Sequence, residues 1–430
     1  MNSTKSNLKN FTIDQAESVG ILSFGTLLEY FDLMLYIHMA VILNDLFFPK
    51  TDPFTAQLLS AFAFCSSFIF RPLGGLFFGY IGDKIGRKNS VFLTIMLMSG
   101  TCFTMFLLPE YSKIGIWASI IMILCRILQG MSSLGETVGA QLYISETIKT
   151  PAAYPMVVII NIAGSIGSGL ALLVGSTVLN LTDNWRYIFL FGSFIALVGV
   201  VFRVRLRESV EFADAAKRLD RDQMIEEPLN RKLLFSYFFM KCITPLFSYL
   251  AFIFMPILLK KQGLKIYDIL SQNLFVTVLD ISIAIGFAYC SYKLHPLKIL
   301  RFLSSIFLPI MCIIIYFLSS DITPSIIFIF QIIAVCVWIN TVPAEPIIYK
   351  NFPVFKRFRA VSIPFALATA FIKVLSSFGV ELLVNKFGIL GLYFLVIPFS
   401  LAYVWGLNNF IKIEKEKGTY ILLNSKSNLN

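Results

Sequence analysis

Apolar residues occur along this chain in long blocks separated by short polar ones, and the blocks are of one size. About 20 mostly apolar residues carry an α-helix across a hydrocarbon core of about 30 Å. Runs of that length fall at 19–43, 57–81, 89–108, 114–145, 153–180, 185–203, 233–259, 267–290, 298–318, 324–344, 361–384 and 388–411. The pattern predicts an all-α membrane protein of twelve transmembrane helices. Polar residues, Gly or Pro fall inside the first, fourth and tenth runs, which predicts interrupted helices there. The longest polar stretch divides the series six and six. The expected organisation is a six-helix half over 1–203, a cytoplasmic linker over 204–232, and a second six-helix half with a short tail over 233–430.

Composition supports a lipid-facing exterior. The 430 residues are 57% hydrophobic and 14% charged, with a mean hydropathy of +0.78; soluble domains carry about 25% charged residues. The net charge of +11 would suit a polyanion, but its distribution argues otherwise. With the N-terminus cytoplasmic, Lys84, Arg87, Lys88, Lys149, the linker cluster, Lys293, Lys298, Arg301, Lys356, Arg357 and Arg359 all fall inside. Lys50, Lys113, Arg186, Lys260, Lys261, Lys265 and Lys386 fall outside. The bias predicts two cytoplasmic termini and a basic surface that meets anionic lipid, not nucleic acid. Met1 to Ser18 is polar and no small-residue cleavage site precedes the first run, which predicts no cleavable leader. Enrichment in Ile, Lys, Asn and Phe has a prokaryotic character, so a bacterial inner membrane is the expected setting.

Several chemistries are missing from the sequence. It has no Gly-x-x-x-x-Gly-Lys-Ser/Thr phosphate loop and no Gly-x-Ser-x-Gly elbow. His38 and His295 stand far apart, and the seven cysteines lack metal-ligand spacing and read as small packing residues. No enzyme, cofactor or metal site is expected.

Ionisable residues inside apolar runs are costly, and they usually face a cavity or one another. The first half holds Glu29, Asp32, Arg71, Arg126 and Glu136. Glu29 and Asp32 share a helix face, with Tyr36 one turn further. Counting from the run ends puts these two acids, Arg71 and Arg126 at similar depth. Two readings stand: structural pairing such as Asp32 with Arg126, or a carboxylate that exchanges a proton while an arginine tunes it or holds a substrate carboxylate. In the second half, Asp280 is a candidate cavity acid, accompanied by Lys241, Glu345, Lys373 and Glu381. Tyr249, Trp338 and Asn340 are candidate substrate contacts, since aromatic faces suit a quaternary ammonium. The stripe Gly164, Gly167, Gly169 to Gly175 reads as close helix packing.

The inner loop Gly79-Tyr-Ile-Gly82-Asp83-Lys84-Ile-Gly86-Arg87-Lys88 resembles the signature loop of the major facilitator superfamily. Gly82 and Gly86 would permit a sharp turn, Asp83 could cap a helix end, and Arg87, beside Lys88, offers a fork to a carboxylate on a neighbouring helix. The equivalent loop of the second half, Ser291 to Lys298, lacks the Asp and both glycines. From Gly25 to Ala140 the chain is similar to the metabolite:proton symporters, and within them to proline/betaine transporters. The stretches that carry this are Gly25-Thr-Leu-Leu-Glu29-Tyr30-Phe31-Asp32, Phe70-Arg71-Pro72-Leu73-Gly74-Gly75, Arg126-Ile-Leu-Gln129-Gly130 and Gly135-Glu136. Phe352-Pro353 with Arg357 resembles the loop between helices ten and eleven. Departures are Leu134-Gly135 in place of paired glycines and Ile372-Lys373-Val374 in place of Gly-Gly and Pro. The resemblance implies the major facilitator fold and proton-coupled symport of a small zwitterion by alternating access. Taken with the buried charges, it points to proton coupling at Glu29, Asp32, Arg126 and Glu136 and to a gating loop of Gly82, Asp83, Gly86, Arg87 and Lys88, while the residues themselves offer Tyr36, Arg71, Tyr249, Asp280, Trp338 and Asn340 as a substrate cavity. The partners are a small solute, protons and lipid, and the working unit is expected to be a monomer. A dicarboxylate such as 2-oxoglutarate is the alternative substrate, and a diverged carrier the third possibility.

Overall fold

In hydrocarbon every backbone N–H and C=O must find its partner inside the protein, which leaves an apolar run little choice but to be helical. The computed structural model describes residues 12–49, 66–182, 186–187, 189–194, 228–320, 322–337 and 341–420. Among the described residues there is no strand. Numbered by the span each occupies, helix one is Ile13–Phe47, helix two Arg71–Lys84, helix three Arg87–Leu107, helix four Ile116–Thr147 and helix five Ala153–Thr182. The sixth span is helical at 186–187 and 189–194. Helix seven begins at Arg231–Tyr249, passes through a π turn at Leu250–Phe254 and continues as Met255–Lys261. Helices eight, nine and ten are Ile266–Lys293, Pro296–Ser320 and Pro324–Val337. Helix eleven runs Val354–Val374, a π turn at Leu375–Gly379, then Val380–Phe387; helix twelve is Tyr393–Glu416. Among the described residues eight helices are long and apolar enough to cross a membrane, and one of them, Val354–Glu416, is 63 residues and covers two predicted spans. Large apolar side chains such as Phe77, Trp117, Phe302 and Phe371 stand exposed on the helices, as a lipid-facing surface requires.

Three features differ from the expectation. Helix one starts at Ile13, well before the apolar run, because Thr12 and Gln15 form a capping box. The Gln15 N–H donates to Thr12 Oγ1 and the Thr12 N–H to Gln15 Oε1, each at 3.2 Å. Helices one and four are unbroken; helix ten is described as far as Val337, and a 3₁₀ turn lies at Val342–Ala344. The unexpected interruptions are the π turns of helices seven and eleven. Freed backbone groups at the first are met by buried Gln331, whose amide donates to Ala251 O at 2.7 Å and to Asn273 Oδ1 at 3.1 Å. Gln272 in turn donates to Gln331 Oε1 at 2.6 Å.

The chain divides into two compact units, Met1–Pro228 with Tyr349–Ala366, and Leu229–Ile348 with Leu367–Asn430. In the first unit, glycines set the spacing of the helices. A Cβ on Gly167 of helix five would lie 2.0 Å from Leu27 O of helix one, and a Cβ on Gly130 of helix four 2.0 Å from Ser67 O. Gly130 in helix four therefore marks a crossing, not a break. One end of this unit is an apolar cluster of Phe31, Leu35, Phe47, Met105, Met122 and Phe189. In the second unit Phe247 and Phe307 meet edge to face at 4.6 Å, and Asn409 of helix twelve donates to Ser236 of helix seven at 2.9 Å.

Gly167→Val forces helices one and five apart, so it should lower stability by about 1–3 kcal/mol, the usual cost of overpacking. Gly169→Ala, which meets nothing within 4 Å, should leave it nearly unchanged. Thermal unfolding of the detergent-solubilised protein measures both.

Candidate functional site

Two neighbouring networks of buried charge lie in the first unit. Glu29, 2% exposed, accepts a hydrogen bond from Thr137 of helix four at 2.7 Å. Tyr30 hydrogen-bonds the same threonine. Arg71, at the start of helix two, is buried with its guanidinium 4.7 Å from the Phe68 ring centre, within electrostatic reach of Glu29 and Tyr30. Its Nε is buried without a hydrogen bond.

One turn along helix one, Asp32 belongs to the second network. Cys102 of helix three donates its S–H to Asp32 Oδ1 at 2.6 Å. Gln129 of helix four donates to Cys102 Sγ at 3.7 Å, and its carbonyl accepts from Arg126 Nη1 at 2.8 Å. Asp32 is thus joined to Arg126 through a cysteine and a glutamine, with the two charges in electrostatic reach. Asp32 Oδ2 is buried and has no hydrogen-bond partner. A carboxylate with one unsatisfied oxygen in an apolar interior is held at a cost of at least about 1–3 kcal/mol, and a proton relieves it.

The structure therefore brings together Glu29, Asp32, Arg71 and Arg126, which sequence reasoning placed at one depth. The Tyr36 and Glu136 side chains lie outside the described residues, as do Trp338 and Asn340. Tyr249 is buried at the last position before the π turn of helix seven. Asp280 is half-buried in helix eight and has no hydrogen bond among the described residues. Cys102, read from sequence as packing, instead touches the key acid. Nothing in its spacing could reveal that, because its partners come from helices one and four.

A second set of contacts surrounds the signature loop. Gly86 has φ 122° and makes the turn expected of it. Gly82 lies inside helix two, and its smallness serves an approach, since a Cβ there would lie 2.5 Å from the Phe358 ring. Asp83 does not cap its own helix. Its carboxylate accepts from the backbone N–H groups of Phe358 and Arg359 near the start of helix eleven, at 3.0 and 3.2 Å, and pairs with Arg359 Nε at 3.1 Å. Lys88 is half-buried, and the Arg87 side chain lies outside the described residues. A charge fork is nevertheless present. Arg357, close to Asp83's partners, pairs with Glu146 at the end of helix four at 3.0 Å, the side chains being 6% and 0% exposed. Tyr349 adds a hydrogen bond to Gln141 at 2.9 Å. Segment 349–366 is thereby fastened to helices two and four.

With this geometry in place, comparison with known proteins decides the family. The family model described as Major Facilitator Superfamily matches residues 22–370. The chain belongs to that superfamily. It has the all-α, multi-pass membrane fold of that superfamily. It is 35% identical over 212 residues to the proline/betaine transporter of Escherichia coli K12, covering 47% of this chain and 42% of that protein. The same figures hold for the proline/betaine transporter of Salmonella typhimurium. The match thus spans under half the length of these curated relatives. Among solved structures, the proton:xylose symporter XylE bound to 6-bromo-6-deoxy-D-glucose superposes with a TM-score of 0.75 at 17% identity, covering 92% of this chain and 95% of that one. The human organic anion transporter MFSD10 gives 0.67 at 14%, covering 93% and 100%.

Arg357→Ala deprives a fully buried Glu146 carboxylate of its guanidinium, and should cost about 3–5 kcal/mol. Combining it with Glu146→Gln should recover part of that loss. A double-mutant cycle on thermal unfolding reads the coupling.

Proposed function

We propose that this transporter is a proton-coupled symporter for a small zwitterionic solute of the proline/betaine kind, working by alternating access in a bacterial inner membrane with both termini cytoplasmic. The observation that carries the reading is Asp32, a buried helix-one carboxylate with one oxygen satisfied by Cys102 and the other by nothing. Taking up a proton at Oδ2 removes a buried charge, and with it the penalty on reorienting the loaded carrier. Arg126, linked to Asp32 through Gln129 and Cys102, sets how readily that proton is held. Glu29 with Arg71, and Glu136 further along helix four, belong to the same proton-coupling half of the mechanism; Tyr36, Arg71, Tyr249, Asp280, Trp338 and Asn340 contribute to the solute cavity.

The halves 1–203 and 233–430, joined by the 204–232 linker, are the bodies that rock. The latch made by Asp83 with Phe358 and Arg359, and by Glu146 with Arg357, holds one conformer and opens in the other. Gly82, Gly86, Arg87 and Lys88 form the hinge and rim of that latch. The similarity to bacterial proline/betaine transporters across the first half supports the substrate class, and the basic inner loops support the orientation. The carrier works as a monomer. A second reading keeps the mechanism but exchanges the solute for a dicarboxylate. It is favoured by Arg71, whose buried Nε is free to donate.

In proteoliposomes, an acidic exterior should drive uptake of labelled L-proline or glycine betaine at least about tenfold above the rate at equal pH, and Asp32→Asn should abolish that stimulation while leaving solute counterflow measurable. Uptake indifferent to the pH gradient contradicts the proposal. Competition by 2-oxoglutarate and not by betaine selects the dicarboxylate reading.

A further inference from the structure

Helix nine begins and helix twelve ends at the same end of the second unit, and both carry basic side chains there. Arg301 of helix nine lines a cleft of about 310 Å³ together with Asn408, Lys412, Lys415 and Glu416 of helix twelve. All three cations are exposed. Lys415 is also braced: its Nζ and that of Lys298 lie 5.5 and 5.3 Å from the ring centre of Tyr420, where the chain turns back beyond helix twelve. Thr419 holds that turn, its N–H donating to Glu414 O at 3.0 Å and its hydroxyl to the Glu414 carboxylate at 2.5 Å. Glu414 is buried, and the carboxylate on the cleft is Glu416. It stands 3.9 Å from Lys412, the two side chains being 62% and 74% exposed, and such a pair is worth little in water. Three cations against one carboxylate leave the cleft with an excess of positive charge.

The cleft continues into the lipid-facing surface. Leu401, Trp405, Asn408, Lys412 and Lys415 are all exposed and succeed one another at helical spacing, so they share one face of helix twelve. That face passes from apolar to polar to basic toward the helix end. Trp405 lies about 10 Å along the axis from Lys412, and its ring meets Phe239 edge to face at 6.0 Å. On helix nine, Phe302 beside Arg301 is 65% exposed. A soluble anion would use only the basic end of this surface, whereas a phospholipid uses all of it. Its phosphodiester suits the guanidinium fork of Arg301 and the two ammonium charges. Its ester region falls at the depth of Asn408 and Trp405, where amphipathic rings gather in membrane proteins, and an acyl chain can follow Leu401.

The geometry points to a binding site for one anionic phospholipid at the ends of helices nine and twelve, with its phosphate held by Arg301, Lys412 and Lys415 and an acyl chain laid against Trp405. Basic surfaces attract anionic lipid in general; this cleft gives one such lipid a fixed place. Bound there, the lipid bridges helix nine to helix twelve, and it is a ligand separate from the transported solute.

The test titrates the purified full chain in detergent with phospholipids whose acyl chains carry bromine, which quenches tryptophan fluorescence on contact. Brominated phosphatidylglycerol should quench at a concentration at least about tenfold lower than brominated phosphatidylcholine. Trp405→Phe should remove that phosphatidylglycerol-specific quenching. The triple variant Arg301→Gln, Lys412→Gln, Lys415→Gln should raise the phosphatidylglycerol concentration required by about tenfold or more and leave phosphatidylcholine unaffected. Lys260→Gln with Lys261→Gln, a basic pair at the far end of helix seven, should change neither. Equal quenching by the two lipids, a triple variant that matches its parent, or an equal loss in the Lys260 and Lys261 variant overturns the site. Inorganic phosphate that relieves the quenching as well as unbrominated phosphatidylglycerol does assigns the cleft to a free anion and overturns the lipid. Should the triple variant not fold, Arg301→Gln alone decides, with an expected weakening of about fivefold.

Discussion

Hydrocarbon offers no water to a polar group, so each carboxylate, guanidinium and freed carbonyl in a membrane-spanning helix must be met by another side chain. This constraint organises the molecule. Gln331 is buried in an apolar helix because the π turn of helix seven presents the Ala251 carbonyl to it. Thr137 faces helix one because Glu29 is there, and Lys241 is tolerable in helix seven because Glu345, Thr341 and Tyr237 surround its charge. Where the constraint is not fully met, as at Asp32 Oδ2, the molecule holds an uncompensated group that a proton or ligand can satisfy. Function is sought most profitably at such places.

The same economy governs the signature loop. Asp83 does not act as a cap for the helix that carries it, but satisfies two backbone donors near the start of helix eleven. Gly79 and Gly82 are small because Arg359 and Phe358 lie against them. A contact of this kind combines charge, backbone hydrogen bonds and close packing in one place. It forms or fails as a unit, as the proposed latch between two conformers requires. Glu146 and Arg357 add a second, fully buried point of attachment to the same segment.

Much of this was legible in the sequence, because its signals are local. Helix positions follow from run length, and the family from the loop Gly79 to Lys88 and the stretch from Gly25 to Ala140. The shared depth of Glu29, Asp32, Arg71 and Arg126 follows from counting residues. What escaped depends on neighbours distant in sequence. Cys102 is one more small residue in an apolar run until helix one brings Asp32 to it. Arg357 was visible only as a loop motif, and its carboxylate partner Glu146 gave no sign of the pairing. The sequence suggests a break in helix four because a glycine at a helix crossing, such as Gly130, and a glycine at a kink look alike along a chain. The capping box Thr12-x-x-Gln15 was a local signal, and its position outside the apolar run hid it.

In the proposed mechanism solute and proton move together through this carrier. Proteoliposomes loaded with a pH-sensitive dye, prepared with equal pH on both sides and with the membrane potential clamped, test it in the direction opposite to gradient-driven uptake. Adding glycine betaine or L-proline outside should acidify the lumen as the solute enters. Solute entry with the luminal pH unmoved would contradict the account.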